Sequence, residues 1–471
     1  MSYNPENQYR CTIIRGKSQS KMEDLLPFYA QTVHKNCPCT KGEFDARCNK
    51  QVTKYFFGNE NFDELTDGNR MTVRNHITEI MGKLLGLYYT TLDDMVYETD
   101  SCSFLLSTYD FPAFFKSICL NLQFPNFADS IQNLRDKIHH KTNIRPLCYV
   151  VAFLDYARKQ AVNKAITKQE VGYYILNNLD VLQGNIPIED VYNRIMSDRK
   201  NKIKREKLSG SHDWQHIKEQ INLLKLSNIV EADSEYIWLN DKEEKAIKLF
   251  CAKNKEPLFD LYKYNLESGD DKKQALADWM CYFGKMNSEI SNMKTQFGIP
   301  PQTSELKKEK GAVGVSSVEL GDKGEAFVYR MECERVKAYK ARLVNKVLLL
   351  GKTKGLGYDI SSIEAGENPD KPEFARYIEV KSTTRISEPS FNEEWCDSLN
   401  LTSKEWIAAE QYGEYYNIYR VYFTKTKTIV IRINNPFKKA NDGKIEVFPT
   451  NYQMDFTANV IKKQYEENVC E

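Results

Sequence analysis

Three side chains late in the chain have the types and spacing for hydrolytic chemistry. In the run ARYIEVKSTT, Glu379 and Lys381 stand one residue apart, and Asp359 lies upstream in GYDIS. Glu-x-Lys alone means little, because a chain this rich in both residues holds two or three by chance. Its setting carries more weight. Ile378 and Val380 alternate with Glu379 and Lys381, so a strand here buries the first pair and projects the second pair together from its other face. Two strands joined by a loop then bring Asp359 beside Glu379. Paired carboxylates repel, and a hard divalent ion such as Mg2+, which takes oxygen ligands, relieves that cost. The Lys381 ammonium can orient or deprotonate an attacking water, or stabilise charge developing on a phosphate. Glu325, on an upstream helix, can complete the metal shell or position the water. The plain alternative is a structural ion pair between Glu379 and Lys381.

The elements that must position these groups are legible around them. VELGDKGEAFVYRMECERVKAYKARL predicts a helix opening just after Gly321 and running to about 343. GYDIS and ARYIEVKSTT read as strands separated by the polar loop ENPDKPEF. Ahead of them, GIPPQTSELKKEKGAVGVSS (298–317) is a linker by composition, and residues 241–300 read as helical and polar.

The front of the chain has a different character. MEDLLPFYAQTVHK and KGEFDARCNKQVTKYFF read as two helices around a turn, the second opened by a Thr40-x-x-Glu43 capping box. In RMTVRNHITEIMGKLLGLYY, Val73, Ile77, Ile80 and Leu84 form one helical stripe, with Arg74, Asn75 and Thr78 away from it. LYYTT and MVYET then make two short strands joined through Asp93 and Asp94. Three helices followed by a hairpin is the order of a winged helix-turn-helix. The order recurs from RPLCYVVAFLDYARKQ onward, through a Thr167-x-x-Glu170 start, to SHDWQHIKEQINLLKL and the strand pair SNIVEAD and YIWLND. In that last helix the spacing buries Trp214, Ile217, Ile221 and Leu224 and turns His212, Gln215, Glu219 and Asn222 outward.

Arg and Lys on or beside a helix that fits the major groove serve base readout and phosphate neutralisation. The first unit offers Arg70, Arg74, Asn75 and Thr78. The second offers Lys202, Lys204, Arg205, His212, Gln215 and Lys218 for the same role. Residues 191–210 hold seven Lys or Arg against Asp198 and Glu206, a local excess of five. The bland reading is a solvated basic loop and a pair of protein-interaction modules.

At roughly 150 residues per domain, 471 residues predict about three folded units. Lys plus Arg at 66 nearly balances Asp plus Glu at 65, so DNA affinity has to come from local patches. No apolar run approaches the roughly 18–20 residues of a membrane span, and the first residues lack a signal-peptide core. Both point to a cytoplasmic protein with no membrane partner. The twelve cysteines read as reduced thiols. His34, Cys37, Cys39 and Cys48 match zinc ligands by type, but Cys-x-Cys is not the usual knuckle, and thiols near a turn are the simpler account.

Taken in order, GEAFVY, GYDIS, RYIEVKST and LTSKEWIAAEQYGEYYNIYRVYF resemble the PD-(D/E)xK nuclease superfamily, in the restriction-endonuclease and Holliday-junction-resolvase-like branch that includes the DUF3883 domains. The resemblance covers roughly residues 318–435. It implies a helix-strand-strand-strand-helix-strand core, with helix 402–412 followed by strands at 416–424 and 428–433. It makes Asp359 and Glu379 the metal-binding carboxylates, Lys381 the catalytic lysine and Glu325 the helix-borne acid. One departure is Tyr358 where a Pro often precedes the first acid.

Paired winged helices ahead of such a nuclease are similar to Type IIS restriction endonucleases of the BpuJI kind. The expected fold class is therefore multidomain: an α-rich N-terminal part with two winged-helix units, then a C-terminal α/β PD-(D/E)xK nuclease domain. The expected boundaries are 1–130 for the first unit, 131–297 for the second with a helical extension, 298–317 for the linker and 318–471 for the nuclease. The resemblance implies Mg2+-dependent cleavage of double-stranded DNA outside an asymmetric site, with Mn2+ able to substitute. Water attacks in line and leaves 5′-phosphate and 3′-hydroxyl ends. It also implies a transient homodimer through the nuclease domain and a cognate DNA methyltransferase in the same host. The competing expectations are a modification-dependent or phage-defence nuclease, and a DNA-binding regulator with an inactive nuclease domain.

Overall fold

The computed structural model describes all residues except 1–2, 12–18, 59–60, 161–164, 206–212, 257, 294–315, 352–354, 393–394 and 448–471. The expected linker therefore lies outside the described residues up to 315.

The front begins with α1 (Gln19–Asn36), the short β1 (Cys39–Thr40) and α2 (Lys41–Phe57). The Thr40 and Glu43 side chains cap α2 reciprocally, as their spacing predicts. Next come α3 (Asp67–Asn75), a π-helical continuation (His76–Leu84), β2 (Tyr88–Thr90) and β3 (Met95–Glu98). Val73, Ile77, Ile80 and Leu84 are all buried, which is the predicted stripe. The change of pitch was not predicted; the Ile77 carbonyl there accepts from the Tyr88 hydroxyl at 3.3 Å. β3 lies between β1 and β2 in an antiparallel sheet.

Three helices that the periodicity did not reveal follow: α4 (Asp100–Thr108), α5 (Phe111–Asn121) and α6 (Ile131–His139). Every side chain of α5 from Phe111 to Leu120 is buried. A helix that is apolar on all sides has no stripe to read. Lys116 is buried within it by an ion pair to Glu243 at 3.1 Å.

A second helix-and-hairpin arrangement is built from α7 (Pro146–Arg158), β4 (Ile166–Thr167), α8 (Lys168–Val171), α9 (Leu179–Leu182), α10 (Ile188–Lys200), α11 (Asp213–Leu226), β5 (Val230–Ala232) and β6 (Tyr236–Leu239). Its sheet order, β4-β6-β5, repeats that of the first. Then come α12 (Glu244–Lys253), α13 (Gly269–Phe283) and α14 (Ser288–Ser291). This stretch is helical as expected but not simply polar, since Ile247, Phe250, Trp279 and Phe283 are buried. Phe283 packs on Gly86, and Ser101 N–H donates to Gly284 O at 3.0 Å, tying α13 back to the first hairpin. The two expected units share one continuous apolar core running from Cys11 to Ile290. The reason is α5, which contacts α4, α7, α11 and α13 together.

The back half opens with α15 (Ser316–Tyr339), which starts before Gly321 and stops short of 343. A side chain at Gly321 would meet nothing, so no packing demand or left-handed backbone makes this glycine a helix boundary. It is followed by β7 (Leu348–Leu349), β8 (Ile360–Ile363), β9 (Ala375–Thr384), α16 (Ser403–Tyr412), β10 (Tyr416–Phe423), β11 (Thr428–Asn434) and α17 (Pro436–Asn441). The five strands lie in the order β11-β10-β9-β8-β7. Only β9 and β10 are parallel among these pairings, and the connection between them carries α16.

Strand alternation sorts side chains to two faces. Ile378 and Val380 join Val328 and Val336 of α15, Val421 and Phe423 on one side. Tyr377, Tyr416 and Ile418 meet Ala408 and Ala409 of α16 on the other. Gly324 lets α15 approach β9 closely, because a Cβ there would overlap the Ser382 hydroxyl.

The two halves meet where β9 ends. Thr384 N–H and the Thr383 hydroxyl both donate to Tyr109 O, at 3.1 and 2.8 Å. The buried Arg385 donates to Asp24 of α1 at 2.7 Å. Buried Glu23 accepts from the N–H groups of Ile386 (2.5 Å) and Ser387 (2.8 Å). Among the described residues no helix is long and apolar enough to cross a membrane.

Candidate active site and nucleic-acid face

Asp359 immediately precedes β8, and the sheet fixes its backbone from both sides. Its N–H donates to Ile378 O at 2.9 Å, and Leu350 N–H donates to its carbonyl at 2.6 Å. Because Ile360 pairs with Ile378, Asp359 stands beside Glu379 across the antiparallel strands. Its Oδ2 accepts from Val380 N–H at 2.8 Å. Lys381 Nζ lies 2.6 Å from Glu379 Oε1 and 2.9 Å from Glu405 Oε2. The structure thus brings Asp359, Glu379 and Lys381 together.

Glu405 was missed by sequence reasoning. Its visible signal is Thr402-x-x-Glu405, a capping box that the structure confirms at the start of α16. That duty accounts for the residue fully, so nothing in the sequence called for another. Glu325 approaches differently. It sits on α15, on the opposite side of the sheet from α16, with its carboxylate against Gly351. The helix acid in contact with Lys381 is Glu405.

Three carboxylates around one ammonium leave an excess of two negative charges when all are ionised. Burial pushes Glu379 up to about 9; Lys381 opposes the shift, and Asp359 and Glu405 add to it. Burial also raises Asp359 above the usual carboxylate range. For Lys381, burial works against the charge, but Glu379 and Glu405 outweigh it and hold the ammonium above its ordinary value. Tyr416 closes the inner side near all three acids. Burial keeps its phenol neutral, and its hydroxyl donates to Gly357 O at 2.9 Å.

This donor set suits a hard divalent cation. Mg2+ is commonly held by one or two carboxylates plus water and substrate phosphate, not by an all-protein cage. Among the described residues no group of three or more His, Cys, Asp and Glu forms such a cage. The cysteine cluster near the N-terminus is not one either: His34 is bonded to Glu98 at 2.7 Å, and burial raises the Cys37 thiol to about 12.

On the front half, Arg74, Asn75 and Thr78 are exposed along α3 and its continuation. Arg74 lies over the Phe62 ring at 5.5 Å. Arg70 is half-buried and tied to Asp67 and to Asp63 O. Lys202 and Lys204 are exposed after α10, whereas Arg205 pairs with Asp198 at 2.7 Å and with Glu6. Lys218 is exposed on α11, with its ammonium 5.5 Å from the Trp214 ring; Gln215 is half-buried. Trp214 is only partly covered, and His216 and Gln220 take the buried positions with Ile217 and Ile221. His212 lies outside the described residues.

The front half is similar to a solved structure described as "Crystal structure of pyrene- and phenanthrene-modified DNA in complex with the BpuJ1 endonuclease binding domain". The identity is 36%, the match covers 60% of this chain and 100% of that one, and the TM-score is 0.55. By this half the protein falls in the restriction-endonuclease class. Residues 3–280 match the family model described as "Restriction endonuclease BpuJI - N terminal", and the chain belongs to that family. Residues 324–433 match a second model, "Protein NO VEIN, C-terminal". No curated protein matches the chain.

Proposed function

We propose that this protein is a divalent-metal-dependent, sequence-specific DNA endonuclease. Residues 3–280 place it on its target, and the back half, read as a PD-(D/E)xK nuclease domain, hydrolyses the phosphodiester. The observation that carries the reading is half-buried Asp359 and buried Glu379 beside Lys381, in a chain whose front belongs to a restriction-endonuclease family. The two helix-and-hairpin arrangements are read as winged helices. Arg74, Asn75 and Thr78 on one, and Lys202, Lys204 and Lys218 on the other, face double-stranded DNA.

In the mechanism, Asp359 and Glu379 would hold Mg2+, or Mn2+ in its place, and the ion would supply charge neutralisation at the scissile phosphate. Val380 N–H orients Asp359 so that its other oxygen is left for the ion. Lys381 places a positive charge where the phosphate becomes more negative and orients the attacking water. Glu325 lies across the sheet against Gly351, and the acid beside Lys381 is Glu405, so no step is assigned to Glu325. One such site cuts one strand. A duplex break therefore calls for two copies pairing transiently through the nuclease half, and cleavage falls outside the recognition site in the Type IIS manner. A host carrying this enzyme needs a cognate DNA methyltransferase for self-protection.

Digestion of a sequenced plasmid with Mg2+, followed by mapping of fragment ends, tests the reading. Discrete ends at a fixed offset from one sequence are expected, with Asp359→Ala and Lys381→Ala uncut but still bound to that sequence. A chain that binds one sequence yet leaves DNA intact with either metal is a regulator. Cutting only of methylated plasmid makes it a modification-dependent nuclease.

A further inference from the structure

Glu379 cannot by itself fix Lys381 in a working site. Under the proposed nuclease reading, Glu379 shares its oxygens with the divalent ion, and the ammonium that now lies 2.6 Å from Oε1 then has a competitor. A flexible four-carbon side chain with three N–H donors needs a second anchor to stay beside the phosphate. The structure holds one. Glu405 Oε2 is 2.9 Å from Lys381 Nζ, and it is carried by α16 rather than by the strands that hold the metal-binding pair.

That oxygen has a second partner. It also accepts from Thr402 N–H at 2.9 Å, while Glu405 N–H donates to the Thr402 hydroxyl at 3.3 Å. The capping box locks the carboxylate at the first turn of α16, and Ala408 and Ala409 seat that helix on the sheet. Lys381 is thus pinned between a group committed to the ion and a group committed to the helix.

We propose that Glu405 is a positioning residue: it holds the Lys381 ammonium in the site and makes the N-terminus of α16 a working part of it. This rests on the nuclease reading above for its catalytic consequence, but the hold itself is a property of the metal-free chain. The role belongs to the carboxylate charge, and the capping duty to the hydrogen-bonding shape. Glutamine serves in a capping box as well as glutamate. The two duties can therefore be separated.

In the full-length protein with EDTA, thermal melting of Glu405→Gln, Lys381→Met and the double variant forms a cycle in which capping effects cancel. Glu405→Gln is expected to lower the Tm when Lys381 is present and not when it is absent, since only repulsion from Glu379 is then relieved. Equal shifts in both backgrounds would overturn the hold. In cleavage assays, Glu405→Gln is expected to lose roughly 10–100-fold in kcat with an unchanged KM for DNA. Thr402→Ala keeps the backbone N–H that holds the carboxylate, and is expected to lower the Tm with a smaller loss of kcat than Glu405→Gln. Glu405→Gln cutting at the wild-type rate beside an inactive Lys381→Ala overturns the positioning role and leaves the nuclease reading standing. A wild-type chain that cuts nothing with Mg2+ or Mn2+ removes both.

Discussion

Glu379 keeps 3% of its surface exposed, and its nearest charges are two acids and one lysine. A folding sequence under no other demand would place an apolar side chain there, because buried like charges raise the free energy of the native state. Function and stability therefore pull apart at this position. Asp359→Asn keeps an oxygen for Val380 N–H and removes one of the three negative charges. The metal-free variant is expected to melt higher, by about 1 kcal/mol of stability, while cleavage is lost. Melting in EDTA beside a plasmid assay checks both halves of the statement.

The strand and helix that carry the site are held by packing that tolerates little change. At Gly324, α15 rests on the Ser382 and Val380 side chains of β9. An added methyl group there must displace the Ser382 hydroxyl and press on its Cβ, at about 1–3 kcal/mol; Gly324→Ala is expected to lower the midpoint of chemical denaturation accordingly. Outside the apolar core, the loop joining β8 to β9 is fastened by charge. Glu367 receives Arg376 at 2.7 Å and also pairs with Arg335 and Arg432. Burial works against its charge, but Arg376 first, with Arg432 and Arg335, carries its pKa down to about 2. A depressed acid adds stability that is complete above the ordinary carboxylate range and is lost as pH falls toward 2. Glu367→Gln is expected to flatten the acid limb of a stability–pH curve between about 4.5 and 2.

Across the whole molecule, β9 reaches from the chemistry to the junction between the halves. Lys381 lies in the site, and Arg385, just past the end of the strand, is buried against Asp24 and Glu23 of α1. Removing the guanidinium leaves two buried acids short of their counter-charge, a loss of about 3–5 kcal/mol. Arg385→Ala is expected to uncouple the halves, splitting a single calorimetric transition into two. One undivided transition at the wild-type temperature would show that the junction does not depend on this pair.

What the sequence determined is what short-range pattern can carry. Alternation around Glu379 and Lys381 placed them on one face of β9; two Thr-x-x-Glu starts located helices, and the stripe from Val73 to Leu84 located the first unit's third helix. Those signals follow from local geometry, with periods of two and about 3.6 residues. Tertiary structure decided the rest. α5 left no periodic trace because it is buried all round, and its central position merged two expected units into one core. Glu405 reached Lys381 only because the crossover between β9 and β10 lays α16 over that face of the sheet, and a residue already explained by its own helix gave no hint of it. Contacts between residues distant in the chain are set by how helices and sheets stack, and a one-dimensional pattern records which face is buried but not what covers it.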